Sequence, residues 1–311
     1  MSPEEYINIL VGEGMPVNDA KTVVDCFFTA DEYGVASHGI SMFENHLERI
    51  RRGGYNLNPN FKIIRETSAF AVIDGDNAIG PVAASYCMDY AVKNSHKSGI
   101  FTVLSNNNNT FGPAFYYPIK AAENGVIAFI CSNSPAQMAP VNGIEKMLGT
   151  NPFSVVFPVP GHDPIIIDMA TSVVAKSRFK KYKENGKQLP IGWALDKNGN
   201  PTVDPDEAIQ GLVLPMAGFK GYAISMIIDI LAGALSGGGF LNHVGHFYDA
   251  DNKSMNVGFY LVAIDPQVVF GKDYGKLITQ YVEELRNSKP IMGMKIALPG
   301  DDRLNHKKRA D

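Results

Sequence analysis

The side chains able to do chemistry fall in a few short segments. The first is Ser37-His38-Gly39, just ahead of an amphipathic stretch. Ser37 is placed to cap a helix start, and His38 to lie at the positive end of a helix dipole. That position favours neutral imidazole, which can accept the proton of a hydroxyl while a hydride leaves the neighbouring carbon. A helix start that only satisfies its own backbone groups has the same residues. The second segment is Ile165-Ile166-Ile167-Asp168-Met169-Ala170-Thr171-Ser172, an apolar run ending in an acid and followed by a helix-like stretch over 173–184. A strand feeding a helix N-terminus aims unpaired N–H groups at whatever lies above it, and dinucleotide phosphates are frequent guests. No G-x-G-x-x-G opens a strand–helix unit, so the common dinucleotide fingerprint is absent.

Four further segments carry polar groups at the ends of expected elements. Asn106 to Asn109 and Thr110-Phe111-Gly112-Pro113 follow a strand and precede a helix. Amides there face a ligand crevice in many α/β folds, or simply tolerate left-handed backbone. Ser132-Asn133-Ser134-Pro135 follows another strand. Gly218-Phe219-Lys220-Gly221 opens a long apolar helix, where a cation is unusual unless an anion is bound; a solvated turn lysine fits equally. Pro299-Gly300-Asp301-Asp302 is an acidic turn that could hold a ribose hydroxyl.

The elements that position these segments read as an α/β core flanked by helices. Helical periodicity spans 17–33 and 39–52, with Ile40, Phe43, Leu47 and Ile50 on one stripe of the latter. Strand patterns occur over 61–73, 100–104, 126–131, 155–159, 164–167 and 259–264; helices are expected over 81–98, 113–124, 221–235 and 275–287. The polar tail over 305–311 is expected to fray.

The chain has 311 residues, 45% hydrophobic and 19% charged, enough for a full core in two lobes. A net charge of −4 argues against general nucleic-acid affinity, and no apolar run is long enough to span a membrane. Met1-Ser2-Pro3-Glu4-Glu5 has neither the basic nor the apolar part of a secretory leader, and Cys26, Cys87 and Cys131 are scattered in apolar surroundings. Both lead to the expectation of a cytoplasmic chain with reduced core thiols and no metal site.

Taken together, ASHGI, RRGGYNLNP, DGDNAIGPVAA, MAP, LGTNPF, DMATSVVA, LPIGWALDKNGNPTVDP, GFKGYAISMIIDILAGALSG and LPGD span nearly the whole chain. They resemble the malate/L-lactate dehydrogenase family of the second type, with its sulfolactate, ureidoglycolate and 2,3-diketogulonate oxidoreductases and cyclic imino-acid reductases. The resemblance implies a mixed α/β sheet unlike the common Rossmann fold. It also implies a mainly helical lobe from 1–62 and 265–311 over an α/β cofactor domain at 63–264, and a homodimer with its active site near the subunit interface. Hydride would pass between NAD or NADP and the C2 carbon of a small 2-hydroxy or 2-oxo acid. A cyclic imino acid is the alternative substrate, and a cofactor-binding protein without turnover the alternative class.

Carried over by motif, His38 matches the acid/base histidine. Ser134 matches a cofactor-contacting position, as does the stretch Asp168, Met169, Ala170, Thr171 and Ser172. Phe219 and Lys220 match the pair approaching the cofactor, and Gly300 and Asp301 the turn that closes over it. Ser37, Met42 and Thr110 fall at substrate-facing positions. Two of these depart from the pattern: Met42 stands where many members have a carboxylate-gripping arginine, and Thr110 where many have a second histidine. A threonine hydroxyl is no base near neutral pH but can donate a hydrogen bond. Lys176, Arg178, Lys180 and Lys181 would suit a 2′-phosphate or a solvated face, so NAD and NADP both stay open.

Overall fold

The apolar runs after residue 61 become strands, but their pairing departs from a simple parallel order. The computed structural model describes residues 1–249 and 253–310. Its strands are β1 (Lys62–Glu66), β2 (Phe70–Asp74), β3 (Ile100–Asn108), β4 (Ile127–Ser132), β5 (Phe153–Phe157), β6 (Ile165–Met169), β7 (Ala194–Leu195), β8 (Pro201–Thr202), β9 (Leu212–Val213) and β10 (Val257–Ile264). The main sheet runs β1-β2-β3-β10-β4-β5-β6, with β7 at the centre of a separate three-stranded sheet. Only β2 and β3 pair in parallel within the main sheet. This is the mixed α/β sheet that the family resemblance implied.

β10, the last strand in the sequence, lies at the middle of that sheet. Phe259, Leu261 and Ala263 are fully buried, and Leu261 is flanked by Val103 on one side and Ile130 on the other. β3 runs longer than its apolar core, because Val257 of β10 pairs with Asn108 and continues the ladder through the asparagine run. The asparagines bind protein rather than solvent: Asn106 donates to Ser236 O, Asn107 to the Asp74 carboxylate and Asn109 to Ala78 O.

Helices α1 (Pro3–Gly12), α2 (Val17–Glu32) and α3 (Phe43–Arg51) bury Leu10, Val23, Phe27, Phe43 and Leu47 in a cluster of their own. α4 (Gly80–Ser98) turns its alanine-rich side onto the sheet, with Ala83, Ala84, Cys87 and Ala91 packed beside Val103, Ile130 and Leu261. α5 (Tyr116–Glu123) begins three residues after Pro113, because Gly112 at φ 75° breaks the run and Tyr116 N–H closes a turn onto Pro113 O. α6 (Ser177–Glu184) and α7 (Pro205–Gln210) pack around Phe179 with the small sheet. α8 (Phe219–Ile228) continues into a π-helical turn, Asp229–Ala234. α9 (Pro266–Val269), α10 (Tyr274–Arg286) and α11 (Asp301–Ala310) complete the chain.

Alternation along β6 decides what its two faces meet. Ile166 joins Tyr33, Phe115 and Leu304 of α11, whereas Ile165 and Ile167 face Val159 and Val282 of α10. Of the tail expected to fray, 305–310 belong to a docked helix, and residue 311 lies outside the described residues. Asp301 and Asp302 lie in its first turn and Lys307, Lys308 and Arg309 in its last, the arrangement a helix dipole favours.

The turn before α11 tolerates no side chain. Gly300 has φ 97°, and a Cβ there would lie 2.7 Å from Ile166 Cβ and 3.0 Å from Ile166 N. Gly300→Ala should therefore lower stability by about 1–3 kcal/mol, the range for strained backbone. An unchanged urea midpoint would show that the turn does not hold α11 in place.

Candidate active site

The His38 segment is shaped by α2 rather than by its own serine. Residues Ala36–His38 and Ile40–Met42 form two 3-10 turns that lead into α3. Ile40 N–H donates to Asp31 Oδ2 at 2.8 Å, so Asp31 at the end of α2 provides the cap expected of Ser37. Gly39 is required by this approach, since a Cβ would lie 2.0 Å from the Asp31 carboxylate. Ser37 is freed for another contact, its Oγ lying 2.9 Å from His38 Nδ1. That contact orients the ring and leaves Nε2 open. Burial, and next the charge of Arg303, hold the His38 pKa below its ordinary value, so the ring is neutral near pH 7.

Arg303 on α11 joins this segment to the end of β6. Its Nη2 donates to Asp168 Oδ2, and its guanidinium carbon lies 4.9 Å from the Phe115 ring centroid. Burial pushes the Asp168 carboxyl up to about 6, against the opposing pull of Arg303. Two neighbours on α11 hold the arginine in position. Leu304 is buried beside Tyr33 and Phe115, and His306 Nδ1 lies 3.0 Å from Glu32 O. α11 thus lies along the residues immediately before Ala36–His38. On the other face of β6, His162, Asp163, Arg286 and Asp301 line a cavity of about 290 Å³.

A second group of residues gathers beyond Asp168. Residues 170–176 do not form the helix expected after Ser172. Ser172 makes a β-bridge with Pro215, and Val173 N–H donates to Leu214 O, so the backbone stays extended and α6 starts five residues after Ser172. The helix end beside this stretch belongs to α8. Met216 N–H donates to Thr171 O, and a Cβ on Gly221 would lie 2.8 Å from the same oxygen. No side chain caps α8, whose first residues are the exposed Phe219 and Lys220. Thr171 bonds to Thr150 O through both N–H and Oγ1. Asn151 accepts from Ser134 N–H and donates to Ser225 O of α8. Ser134, Thr171 and Ser225 of α8 therefore surround one loop, residues 149–151.

This arrangement fits a dinucleotide. Ser134 Oγ is buried with no hydrogen-bond partner, a cost of roughly 1–3 kcal/mol that a ligand atom would relieve. The uncapped first turn of α8 and the adjacent Lys220 suit an anion. Gly300 packs on Ile166, while the Asp301 carboxylate is taken by both Arg286 guanidinium nitrogens and by Leu298 N–H. Among the described residues no hydrogen bond joins Met42 or Thr110 to His38; Met42 Sδ accepts from Asn45 Nδ2 at 3.9 Å. The sequence reading missed Arg303 and Asp31. The charge pattern of α11 was the available signal for the first.

A family model described as malate/L-lactate dehydrogenase matches residues 4–311. A malate dehydrogenase of Pyrococcus horikoshii is 37% identical over 292 residues, covering 91% of this chain and 80% of its own. The ureidoglycolate dehydrogenase (NAD(+)) of Escherichia coli is 34% identical over 297 residues, covering 95% of this chain and 84% of its own. Among solved structures, the sulfolactate dehydrogenase from Methanocaldococcus jannaschii superimposes with a TM-score of 0.92 at 33% identity, covering 99% of this chain and 89% of that one.

The electrostatics of His38 and His46 can be read directly. With ring-labelled histidine, NMR titration should find His38 losing its proton below the usual 6.5 and His46 at about 3, where burial and then Arg49 depress it. A His38 resonance titrating at or above 6.5 contradicts this account of the site.

Proposed function

The chain belongs to the malate/L-lactate dehydrogenase family, and on that premise we propose that His38 serves as the acid/base group of an NAD(P)-dependent oxidoreductase acting on a small 2-hydroxy or 2-oxo acid. The observation that carries this reading is a serine-oriented imidazole beside the Arg303–Asp168 pair, at the strand end that leads to the polar contacts of Ser134, Asn151 and Thr171. The cofactor, NAD or NADP, would be held by Ser134, by Asp168 to Ser172, by Phe219 and Lys220 at the start of α8, and by the Gly300-Asp301 turn. When bound, it supplies or accepts the hydride at the substrate's C2 carbon.

The protein's own part is orientation and proton transfer. In oxidation, neutral His38 accepts the hydroxyl proton at Nε2 while Ser37 holds Nδ1. In reduction, the imidazolium returns that proton to the oxygen. Thr110 is proposed to donate a hydrogen bond to a substrate oxygen, and Met42 to add apolar surface. The apolar side of Met42 and the small Thr110 favour a substrate bulkier than malate.

We further propose that the lobe built from 1–62 and 265–311 closes over the 63–264 unit, and that the chain is a cytoplasmic homodimer. The apolar helix from α8 through the π-turn buries Gly221, Ser225, Ile228 and Ala232 yet leaves Ile227, Ile230 and Leu235 more than half exposed. A helix apolar on both sides is suited to burial in a larger assembly. Since the same helix begins at Phe219 and Lys220, a second copy there would adjoin the cofactor residues.

A panel of 2-oxo acids and cyclic imino acids, followed by NADH and NADPH absorbance, tests the function. Turnover of at least one 2-oxo acid is expected; cofactor binding with no turnover on any of them would falsify it. His38→Ala should lower kcat by roughly 10²-fold or more with cofactor affinity kept. Hydroxy-acid oxidation should hold level above pH 6.5 and fall only below it, as the ring gains its proton; reduction should weaken as pH rises through that same depressed pKa. Lys220→Ala should weaken NAD(P)H binding by about 1–3 kcal/mol in a fluorescence titration; an unchanged Kd makes Lys220 a solvated residue. Ile227→Asp with Ile230→Asp should convert a dimer to monomer by sedimentation, and a dimer unaffected by both changes places the interface elsewhere.

A further inference from the structure

The substitution of Met42 for the family's arginine leaves the 2-oxo acid's carboxylate without its usual partner, and the cations around His38 narrow the choice of a replacement. Arg49 is not available. Its side chain is buried at 2% exposure, Nη1 donates to Phe247 O at 2.7 Å, and Nη2 donates to Lys253 O at 2.8 Å. Arg303 is differently placed. One nitrogen, Nη2, is committed to Asp168. Among the described residues, Nε and Nη1 make no hydrogen bond, and the side chain keeps 24% of its exposure. The Phe115 ring beneath the guanidinium and the docked α11 fix the plane of the fork.

We propose that Arg303 is the cation that receives the substrate carboxylate in this chain, with Asp168 orienting it. The inference rests on the oxidoreductase reading above and adds its substrate-recognition residue. A guanidinium steadied by one carboxylate and one aromatic face presents its remaining donors as a rigid fork, the geometry that suits a second carboxylate. The negative charge of Asp168 is already matched within the pair, so it orients the arginine without repelling an incoming acid at full strength. Arg303 is also close enough for its charge to lower the His38 pKa, and α11 docks against Glu32 and Tyr33, just before the His38 segment.

The test compares an acid with its neutral counterpart. The 2-oxo acid turned over best by the unaltered chain, and its primary amide, are assayed with wild type, Arg303→Gln and Arg303→Lys. Calorimetric titration of oxamate and oxamide in the presence of NADH reads the same contact without turnover. Arg303→Gln should raise KM for the acid and Kd for oxamate by roughly 10²-fold more than it raises them for the amide and oxamide, while any loss that passes through Asp168, His38 or the cofactor falls on acid and amide alike. Arg303→Lys, which keeps charge but not the fork, should fall between. Met42→Arg in the Arg303→Gln background should recover acid binding. Equal losses for acid and amide, or no loss for the acid, make Arg303 only a latch between α11 and β6 and overturn the proposal; Arg303→Lys decides the question in the same way if Arg303→Gln does not fold. Absence of any 2-oxo acid turnover by wild type counts against the functional reading instead, and the oxamate–oxamide comparison still decides the role of Arg303.

Discussion

The ion pair between Asp168 and Arg303 is the contact on which the candidate site depends. Asp168 lies at the inner end of an edge strand, where burial alone disfavours its charged form. A buried carboxylate costs several kcal/mol unless a partner is held in good geometry. Holding that partner requires the whole C-terminal helix. Leu304 anchors it in the core, Gly300 lets its first turn approach β6 closely, and His306 ties it to the end of α2. The demands of one carboxylate thus bring the last ten residues described beside His38, some 265 positions earlier in the chain.

The group of polar contacts around residues 149–151 is built on a different principle from a glycine-rich loop. Here a polar network passes from Ser134 through Asn151 to Ser225, while Thr171 grips Thr150 by backbone and side chain. The helix end it faces is α8, reached across the sheet rather than directly after the strand. Such a network orders its own backbone before any ligand arrives, which lowers the entropy lost on binding. Ser134 Oγ is left unpartnered within it and is the point where that order remains incomplete.

Much of this was legible in the chain. The Ser37-His38-Gly39 and Asp168–Ser172 segments stood out by residue type, and helical and alternating patterns located most elements within a few residues. The errors share one cause. Thr171-Ser172 looked like a helix start because local propensity favours it, yet bonds to Leu214 and Pro215 keep the backbone extended. Ser37 looked like a cap, but Asp31 from another helix supplied the acceptor. The polar tail looked mobile, although its acids and bases already followed the helix dipole.

What the sequence determined by itself was most of the main-sheet strands and the longer helices, the family and the candidate imidazole, since these rest on local periodicity and on motifs contiguous in the chain. Only the tertiary structure decided where those pieces meet. The place of β10 between β3 and β4, the use of α8 as the helix end beside Thr171, and the arrival of Arg303 at Asp168 all depend on pairings between distant segments. Local side-chain patterns carry no record of such partners, because the energy that selects them is gained only when both surfaces are buried together.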